Sequence, residues 1–289
     1  MLHFTLRCLR LYFIQKSRVF FSLLGALITF ILYLAFLKDN MASSWPQLPG
    51  VNTFLDYWLL GGILAIVGAT TSAAGLSQMV EDKEKGVLAD FLLTDLSYNQ
   101  MQFGYFLASA LISLIMQVLA LGLLFAYYAL TAGMTLSGLQ LLQLLGAMIL
   151  SALVWTSFNV LLFGFVTSVT SFGHVMLLLS TSLGFFAGVY LPLGILPQVS
   201  RWVIQVTPAP FFSSLFRHIL LAPTQEAMTQ QVPDFMLQQI LRHTGVGLDV
   251  GFLTSASQEV LILLGFGLLF LILMPILGKF SRKLALHSL

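Results

Sequence analysis

Six long runs of apolar residues, separated by shorter polar stretches, dominate the pattern of the chain. Each run is close to the roughly 20 residues that a helix needs to cross a bilayer. We place the runs at 19–37, 56–79, 101–129, 141–169, 173–192 and 259–279. The pattern predicts an all-α integral membrane protein with six transmembrane helices, built as one domain over residues 1–289.

Composition agrees with this interpretation. The chain is 58% apolar and 8% charged, with a mean hydropathy of +0.94, whereas soluble domains carry about 25% charged residues. The single cysteine, Cys8, excludes an internal disulfide. The run 19–37 is longer than a signal-peptide core and precedes no small-residue cleavage site, so we expect it to be retained as the first span.

Residues 1–18 have the pattern of an interfacial helix. The apolar residues on one face are Leu2, Leu6, Leu9 and Phe13, and the cations on the remaining surface are Arg7, Arg10, Lys16 and Arg18. Such a helix lies along the membrane with its cations near anionic headgroups. A simple positive-inside anchor for the first span explains the charges equally well.

The segment 193–258 differs from the spans. Its apolar pieces are only about ten residues long and contain repeated prolines, so we predict half-helices that enter the outer leaflet and return. The residues that mark this re-entrant segment are Pro192, Pro197, Trp202, Pro208, Pro210 and Arg217. Beyond Pro223 the composition becomes polar, which predicts an extracellular excursion with one short helix at 234–243. Ser255 and Gln258 have capping-box spacing at the start of the sixth span, and 280–289 is a cytoplasmic tail.

The segment 81–95 holds seven of the chain's 24 charged residues (13 basic and 11 acidic). We predict that Gly86 bends the chain into a short amphipathic helix, whose apolar residues are Val87, Leu88, Phe91 and Leu92. The acidic residues Glu81, Asp82 and Glu84 are expected at the helix N-terminus, where negative charge is stabilising. Such a helix is either a solvated connector or a lever for a soluble partner, and we favour the lever.

Lysine and arginine positions predict the orientation of the chain. With both termini in the cytoplasm, the inner segments hold nine Lys and Arg residues and the outer segments hold four. Three of the outer four lie in the long segment 193–258, where the positive-inside rule is weakest. The segment 81–95 therefore faces the cytoplasm, and we expect a bacterial cell membrane.

Some chemistry is absent from the sequence. Between Leu96 and Ser200 there is no Asp, Glu, Lys or Arg, whereas ion-coupled carriers usually keep ionisable groups within their spans. The nearest ionisable residues to the interior of the spans are Asp56 and His174, and both are expected near span ends. The sequence therefore argues against a proton- or sodium-driven carrier and against a membrane enzyme. It also lacks the Gly-x-x-x-x-Gly-Lys-[Ser/Thr] phosphate loop, so the chain does not hydrolyse ATP by itself.

Polar and small residues within the spans have weaker signals. Gly184 and Gly188 form a G-x-x-x-G pattern that fits either packing within the chain or a dimer contact. Several hydroxyl and amide residues fit hydrogen bonds between helices better than substrate contacts: Thr70, Thr71, Ser72, Thr156, Ser157 and Asn159.

Two stretches resemble the ABC-2 permeases of ABC transporters, the type-2 exporters. The first, Glu81 to Leu96, resembles the family's acidic–basic run, glycine and apolar helix ending in Thr-Pro, although Asp95 follows Thr94 here. The second runs from Phe186 to Arg217 and resembles a Gly-x-x-x-Pro, Leu-Pro, Pro and Arg pattern. Its usual Pro-Leu-x-Tyr is replaced by Pro208-Ala209-Pro210-Phe211. The six-span layout extends the resemblance over nearly the whole chain.

The resemblance implies roles for three segments. Residues 1–18 would be the connecting helix, 81–95 the coupling helix in a cleft of a separate cytoplasmic ATPase, and 193–220 re-entrant helices at the outer exit. The coupling residues would be Glu81, Lys83, Glu84, Gly86, Val87, Leu88, Phe91, Leu92, Thr94 and Asp95.

The implied assembly pairs two permeases, as a second copy or a paralogue, with two ATPase subunits in the lipid membrane. ATP and Mg²⁺ would bind the partner ATPase, and this chain would hold no cofactor, metal, nucleic acid or catalytic site. The implied function is export of a hydrophobic or amphipathic substrate, drug-, lipid- or toxin-like. The alternatives are export of a polysaccharide or peptide, an ATP-independent carrier or channel, and a structural protein whose 81–95 loop binds a scaffold.

Overall fold

A computed structural model describes residues 1–45, 50–94, 96–229 and 232–287. Over these ranges the chain is helical apart from turns and one isolated bridge between Asp249 and Leu253. Six of its helical stretches are long and apolar enough to cross a membrane. The predicted all-α fold with six spans is therefore confirmed.

The helices follow one another with short connections. They are α1 Leu2–Ile14, α2 Lys16–Leu32, α3 Lys38–Ser43, α4 Val51–Gly75, α5 Ser77–Glu84, α6 Val87–Leu92, α7 Tyr98–Ala132, α8 Gly138–Phe163, α9 Val169–Phe186, α10 Gln198–Gln205, α11 Ala209–Thr229, α12 Asp234–Thr244 and α13 Ala256–His287. A π-helix at Tyr33–Leu37 joins α2 to α3, and a 3₁₀ turn at Leu193–Ile195 precedes α10.

Helix α4 is the centre of the bundle. In its most apolar stretch 89% of the residues are buried, against 17% in α9 and in α13. It packs most extensively against α7 and α11. Glycines make these approaches close: a methyl group at Gly75 would lie 2.8 Å from Ser109 Cα, and one at Gly61 would lie 2.9 Å from the Arg217 backbone nitrogen. Small residues at helix contacts are typical of membrane bundles.

Hydrogen bonds between buried polar side chains and backbone join α4 to its neighbours. The Asn159 amide on α8 donates to Ala69 O at 3.0 Å and to Ser72 Oγ at 2.8 Å. Ser113 on α7 donates to Gly68 O at 2.9 Å. In hydrocarbon a polar group needs such a partner, so Ser72 and Asn159 have the packing role that the sequence favoured.

The predicted end of the fourth span is wrong. It was expected at residue 169, but α8 ends at Phe163, and Ser168 caps the start of α9 through its side chain. The expected breaks at prolines of the segment 193–258 do occur before the 3₁₀ turn, α10 and α11. Pro223 makes no break, because it lies inside α11, one helix of 21 residues. Pro210 lies in its first turn, where the missing N–H group has no helical acceptor.

Other local predictions are confirmed. The short helix predicted at 234–243 is α12. Of the capping box at the sixth span, the bond from Ser255 N to the Gln258 side chain forms at 2.9 Å. Gly184 serves packing within the chain, because Tyr190 covers the space that a side chain there would fill.

The close approach of α11 to α4 can be tested with Gly61→Ala. The added methyl group would meet the backbone of Arg217, which cannot rotate away, so we expect a loss of about 1–3 kcal/mol from overpacking. Gly122→Ala is the matched control, since a methyl group there meets nothing within 4 Å. Thermal unfolding of the purified variants in detergent gives the comparison. Equal midpoints for the two variants would contradict the close approach.

Candidate functional site

The charged segment forms a bent pair of short helices at one end of the bundle, which we call the elbow (α5, α6 and the turn that follows them, residues 77–94). Gly86 separates the two helices with φ of 71° and has open space around its Cα. This left-handed conformation favours glycine, because a side chain would be strained there. The predicted bend at Gly86 is therefore confirmed.

The elbow is fixed to α1 by an ion pair. Arg7 donates two hydrogen bonds to the Asp82 carboxylate, at 2.9 and 3.2 Å, although the two residues are 75 positions apart. Asp82 is 2% exposed and also accepts bonds from Tyr105 at 2.6 Å and Gln78 at 2.8 Å. The hydrogen bond to Asp82 raises the pKa of the Arg7 guanidinium. One carboxylate thus joins α1, α5 and α7.

Aromatic contacts attach α6 to the same point. The Phe91 ring meets the Phe4 ring edge-on at 5.2 Å, and the Arg7 guanidinium lies 5.1 Å from the centre of the Phe91 ring. Phe4 in turn packs edge-on against Tyr105 at 4.9 Å. Geometries of this kind stabilise aromatic and cation–π pairs. Phe91 is half-buried and faces α1, so α1 and α6 are connected through one small cluster.

Further charge contacts close the elbow against the bundle. The Glu81 carboxylate forms ion pairs with Arg18 at 3.4 Å and with Lys85 at 2.6 Å. The Lys83 ammonium group donates a hydrogen bond of 3.0 Å to the carbonyl oxygen of Gly164, just beyond α8. The predicted position of the acidic residues is wrong. Glu81 and Glu84 lie in the second half of α5, rather than at the N-terminus of α6, because α5 continues to Glu84.

Only some of the predicted coupling residues of the elbow are exposed. Val87 and Leu88 are half-buried, whereas Glu84, Thr94 and Leu93 are exposed, Leu93 to 89%. The Leu92 side chain and Asp95 lie outside the described residues. On α1 and at the start of α2, Arg10 and Lys16 are exposed and Arg18 is half-buried. Sequence reasoning missed Leu93, which lies one residue beyond the apolar helical pattern.

The opposite end of the bundle is organised around Arg217, which is fully buried. Its guanidinium donates to five backbone carbonyl oxygens. Three lie at 3.1 Å, those of Trp58, Ala187 and Gly188. The other two are those of Thr244 at 3.3 Å and Gly245 at 3.5 Å. Four of these carbonyls belong to the C-terminal ends of α9 and α12, where the helix dipole favours a cation. The guanidinium also lies 4.3 Å from the centre of the Trp58 ring.

A buried carboxyl group lies beside this arginine. Glu259, at the start of α13, accepts hydrogen bonds from Ser214 at 2.5 Å and Thr254 at 2.8 Å. Ser214 also accepts from Gly247 N at 2.7 Å. Glu259 was not predicted as a site residue. Its only signal was a single acid in the first turn of an apolar span.

The other predicted residues at this end have structural positions. Pro192 precedes the 3₁₀ turn, Pro197 precedes α10, and Pro208 precedes α11, while Pro210 is buried within α11's first turn. Trp202 on α10 is 60% exposed. A short turn joins α10 to α11. The entry of these two helices into a membrane leaflet stays a prediction.

Six membrane-spanning candidates, a buried central helix and a charged elbow at one end define a multi-pass membrane protein. The family model described as "ABC-2 family transporter protein" matches residues 38–274. The match covers well over half of the chain, so the chain belongs to the ABC-2 transporter family, as the sequence motifs indicated. The family supplies the membrane part of ABC transporters and implies association with an ABC ATPase. A comparison with curated proteins finds no match.

The attachment of α1 to the elbow can be tested with Arg7→Gln. The change leaves the buried Asp82 carboxylate without its ionic partner, and we expect α1 to open more easily by roughly 1–3 kcal/mol. Arg10→Gln on the exposed side of α1 removes the same charge without touching Asp82. Hydrogen exchange of the α1 amides in detergent measures the difference. Equal protection in the two variants would show that the ion pair does not hold α1.

Proposed function

We propose that the chain is the permease subunit of an ATP-driven exporter, with ATP hydrolysis on a separate partner chain. Family membership supports a role in an ABC transporter. The observation that carries the proposal further is the elbow, which presents Leu93 to water while its remaining contacts run into the bundle. A fixed helix pair followed by an exposed leucine is suited to receive force from a soluble partner.

The contacts of the elbow define a route for that force. Displacement of α6 moves Phe91, which presses on Phe4 and Arg7 of α1. The same displacement reaches α7, because Tyr105 contacts Phe4 and donates to Asp82. α1 and α7 then move with the elbow as one body, and rocking of rigid bodies is a common mode of conformational change.

The proposed orientation puts the elbow and both termini in the cytoplasm. The nine-to-four distribution of Lys and Arg supports it, and a bacterial cell membrane is the proposed location. Two permeases, as copies or paralogues, would combine with two ATPase subunits that bind ATP and Mg²⁺. Their ATP-driven closure would displace both elbows.

The proposed substrate is hydrophobic or amphipathic, drug-, lipid- or toxin-like. Asp56 near one end of α4 is paired with Lys38 at 2.7 Å. Between Leu96 and Ser200 the sequence contains no Asp, Glu, Lys or Arg. Spans without charged residues over this stretch are compatible with an apolar cargo that leaves the inner leaflet. A polysaccharide or peptide cargo is the alternative within the family.

An ATP-independent carrier is the second candidate, and Glu259 is the observation in its favour. A buried carboxyl group within a span is the type of residue that binds a coupling ion. Its hydrogen bonds to Ser214 and Thr254 also have a structural explanation, since they fix the loop between α12 and α13. We therefore favour the exporter.

The lever can be tested with Leu93→Asn and a matched control, Leu130→Asn. Both leucines are 89% exposed, but Leu130 lies near the far end of α7. We expect Leu93→Asn to lower the amount of ABC-type ATPase that co-purifies with the chain about tenfold, which corresponds to about 1.4 kcal/mol. Mass spectrometry of complexes purified in mild detergent identifies and counts the ATPase.

Three results would contradict the proposal. The first is an equal loss of ATPase in both variants, and the second is an unchanged amount in Leu93→Asn. The third is a chain that purifies alone and supports flux in reconstituted vesicles without ATP, which would favour the carrier.

A further inference from the structure

A cavity opens at the Arg217 end of the bundle, outside the carbonyl cluster that surrounds that arginine. It is a shallow cleft, and its ≈ 330 Å³ of empty space includes open solvent. Arg201 and Gln205 of α10 form one wall, and Arg242 of α12 forms another. The rest of the lining is formed by Leu193, Ile204, Pro210, Gly245, Gly247, Leu248 and Asp249. Neither the transport mechanism nor the elbow uses this cavity.

Arg201 has a donor that the fold does not satisfy. Its Nε atom is buried and has no hydrogen-bond partner among the residues that the structure describes. The side chain is only half-buried, so the rest of the guanidinium stays reachable from the cavity mouth. A buried N–H group of a permanent cation is costly without an acceptor. Nε itself is closed to the cavity, so an oxygen-rich anion there would bind the accessible part of the guanidinium.

The remaining charges around the cavity leave it positive. Arg242 and Asp249 face each other at 3.7 Å, and both side chains are substantially exposed, so this pair is weak. The Asp249 backbone carbonyl accepts from Gln205 at 3.2 Å. With Arg201 and Arg242 opposite Asp249, the lining carries one net positive charge. That charge matches an anion with a single negative charge, such as a phosphodiester.

Helix α10 indicates where that anion comes from. One face of the helix is apolar and more than half exposed: Val199, Trp202, Val203 and, just after the helix, Val206. Ile204 on the opposite face is buried and lines the cavity. Arg201 and Gln205 lie on the side that lines the cavity. An amphipathic helix with an exposed tryptophan at the end of a membrane bundle is typical of the lipid–water boundary. Acyl chains would cover the valines while a headgroup reaches the arginines.

We propose that this cavity binds the phosphodiester headgroup of an anionic phospholipid, held by Arg201 and Arg242. Arginine suits this ligand because its fork of N–H donors matches two phosphate oxygens. The lipid lies at the membrane end opposite the elbow and stabilises the α10–α12 corner. The proposal concerns the chain alone and does not depend on a partner ATPase, so either idea can fail without the other.

The experiment compares lipids retained by the full chain. The chain is placed in nanodiscs made from equal parts of phosphatidylcholine and phosphatidylglycerol, and native mass spectrometry counts the lipids that stay bound. We expect the wild-type chain to retain phosphatidylglycerol in preference. Arg201→Gln should weaken that retention about tenfold, equivalent to about 1.4 kcal/mol. Arg201→Lys should recover part of it, because it restores the charge without the fork.

Controls separate this site from general charge effects. Lys85→Gln removes one positive charge from an exposed side chain on the elbow and should leave retention unchanged. Arg242→Gln gives a second test at an exposed position if Arg201→Gln lowers the melting temperature. Equal retention of the two lipids, or no change in both arginine variants, would overturn the proposal.

A free anion is distinguished by adding inorganic phosphate. In phosphatidylcholine nanodiscs it should form no adduct that depends on Arg201, and in mixed nanodiscs it should not displace phosphatidylglycerol. Displacement by millimolar phosphate would overturn the lipid assignment, because the cavity would then bind a soluble phosphate.

Discussion

The end of the bundle opposite the elbow depends on one buried cation without a carboxylate partner in hydrogen-bond contact. Arg217 is stabilised instead by backbone carbonyls from α4, α9 and α12. Desolvating a guanidinium costs several kcal/mol unless its donors are matched, and here helix C-termini supply the negative potential. Lysine has three donors around one nitrogen and could not reach the same acceptors. Gly61 is needed for the same arrangement, because a side chain at that position would collide with the backbone of Arg217.

The two ends of the bundle use charge differently, and this difference fits a transporter that is driven from one side. Among the described residues, every hydrogen-bond acceptor of the Arg217 guanidinium is a backbone carbonyl, and the side chain is fully buried. Around the elbow, Asp82 is buried but its partner Arg7 is partly exposed. Glu81 pairs with Lys85, which is exposed, and with Arg18, which is half-buried. Helix α6 has six residues, too few to be stable alone, so its order depends on Phe4 and Arg7. A region of short helices and solvated pairs opens at lower cost than a packed core.

The sequence predicted the spans well because hydropathy is a local property. It predicted the bend at Gly86 and helix α12 for the same reason, since backbone preference and composition are local. Helix ends were harder to place. The apolar run continues through Phe165 and Val166, so hydropathy could not show that α8 ends at Phe163. The composition turns polar beyond Pro223, so hydropathy could not show that α11 continues through it to Thr229. Burial of Asp82 and Glu259, and exposure of Leu93, depend on partners far away in sequence, which no local pattern encodes.

Sequence separation in the Arg217 cluster has a consequence for biosynthesis. The guanidinium takes acceptors from residues 58, 187 and 188, which precede it, and from residues 244 and 245, which follow it. While the chain emerges from the ribosome, Arg217 is therefore made before two of its acceptors exist. The corner cannot close until α12 has been translated and has crossed or reached its side of the membrane. In a nascent permease Arg217 therefore lacks two of its five acceptors until residues 244 and 245 are made. The residues of α4, α7 and α8 are all made before that point.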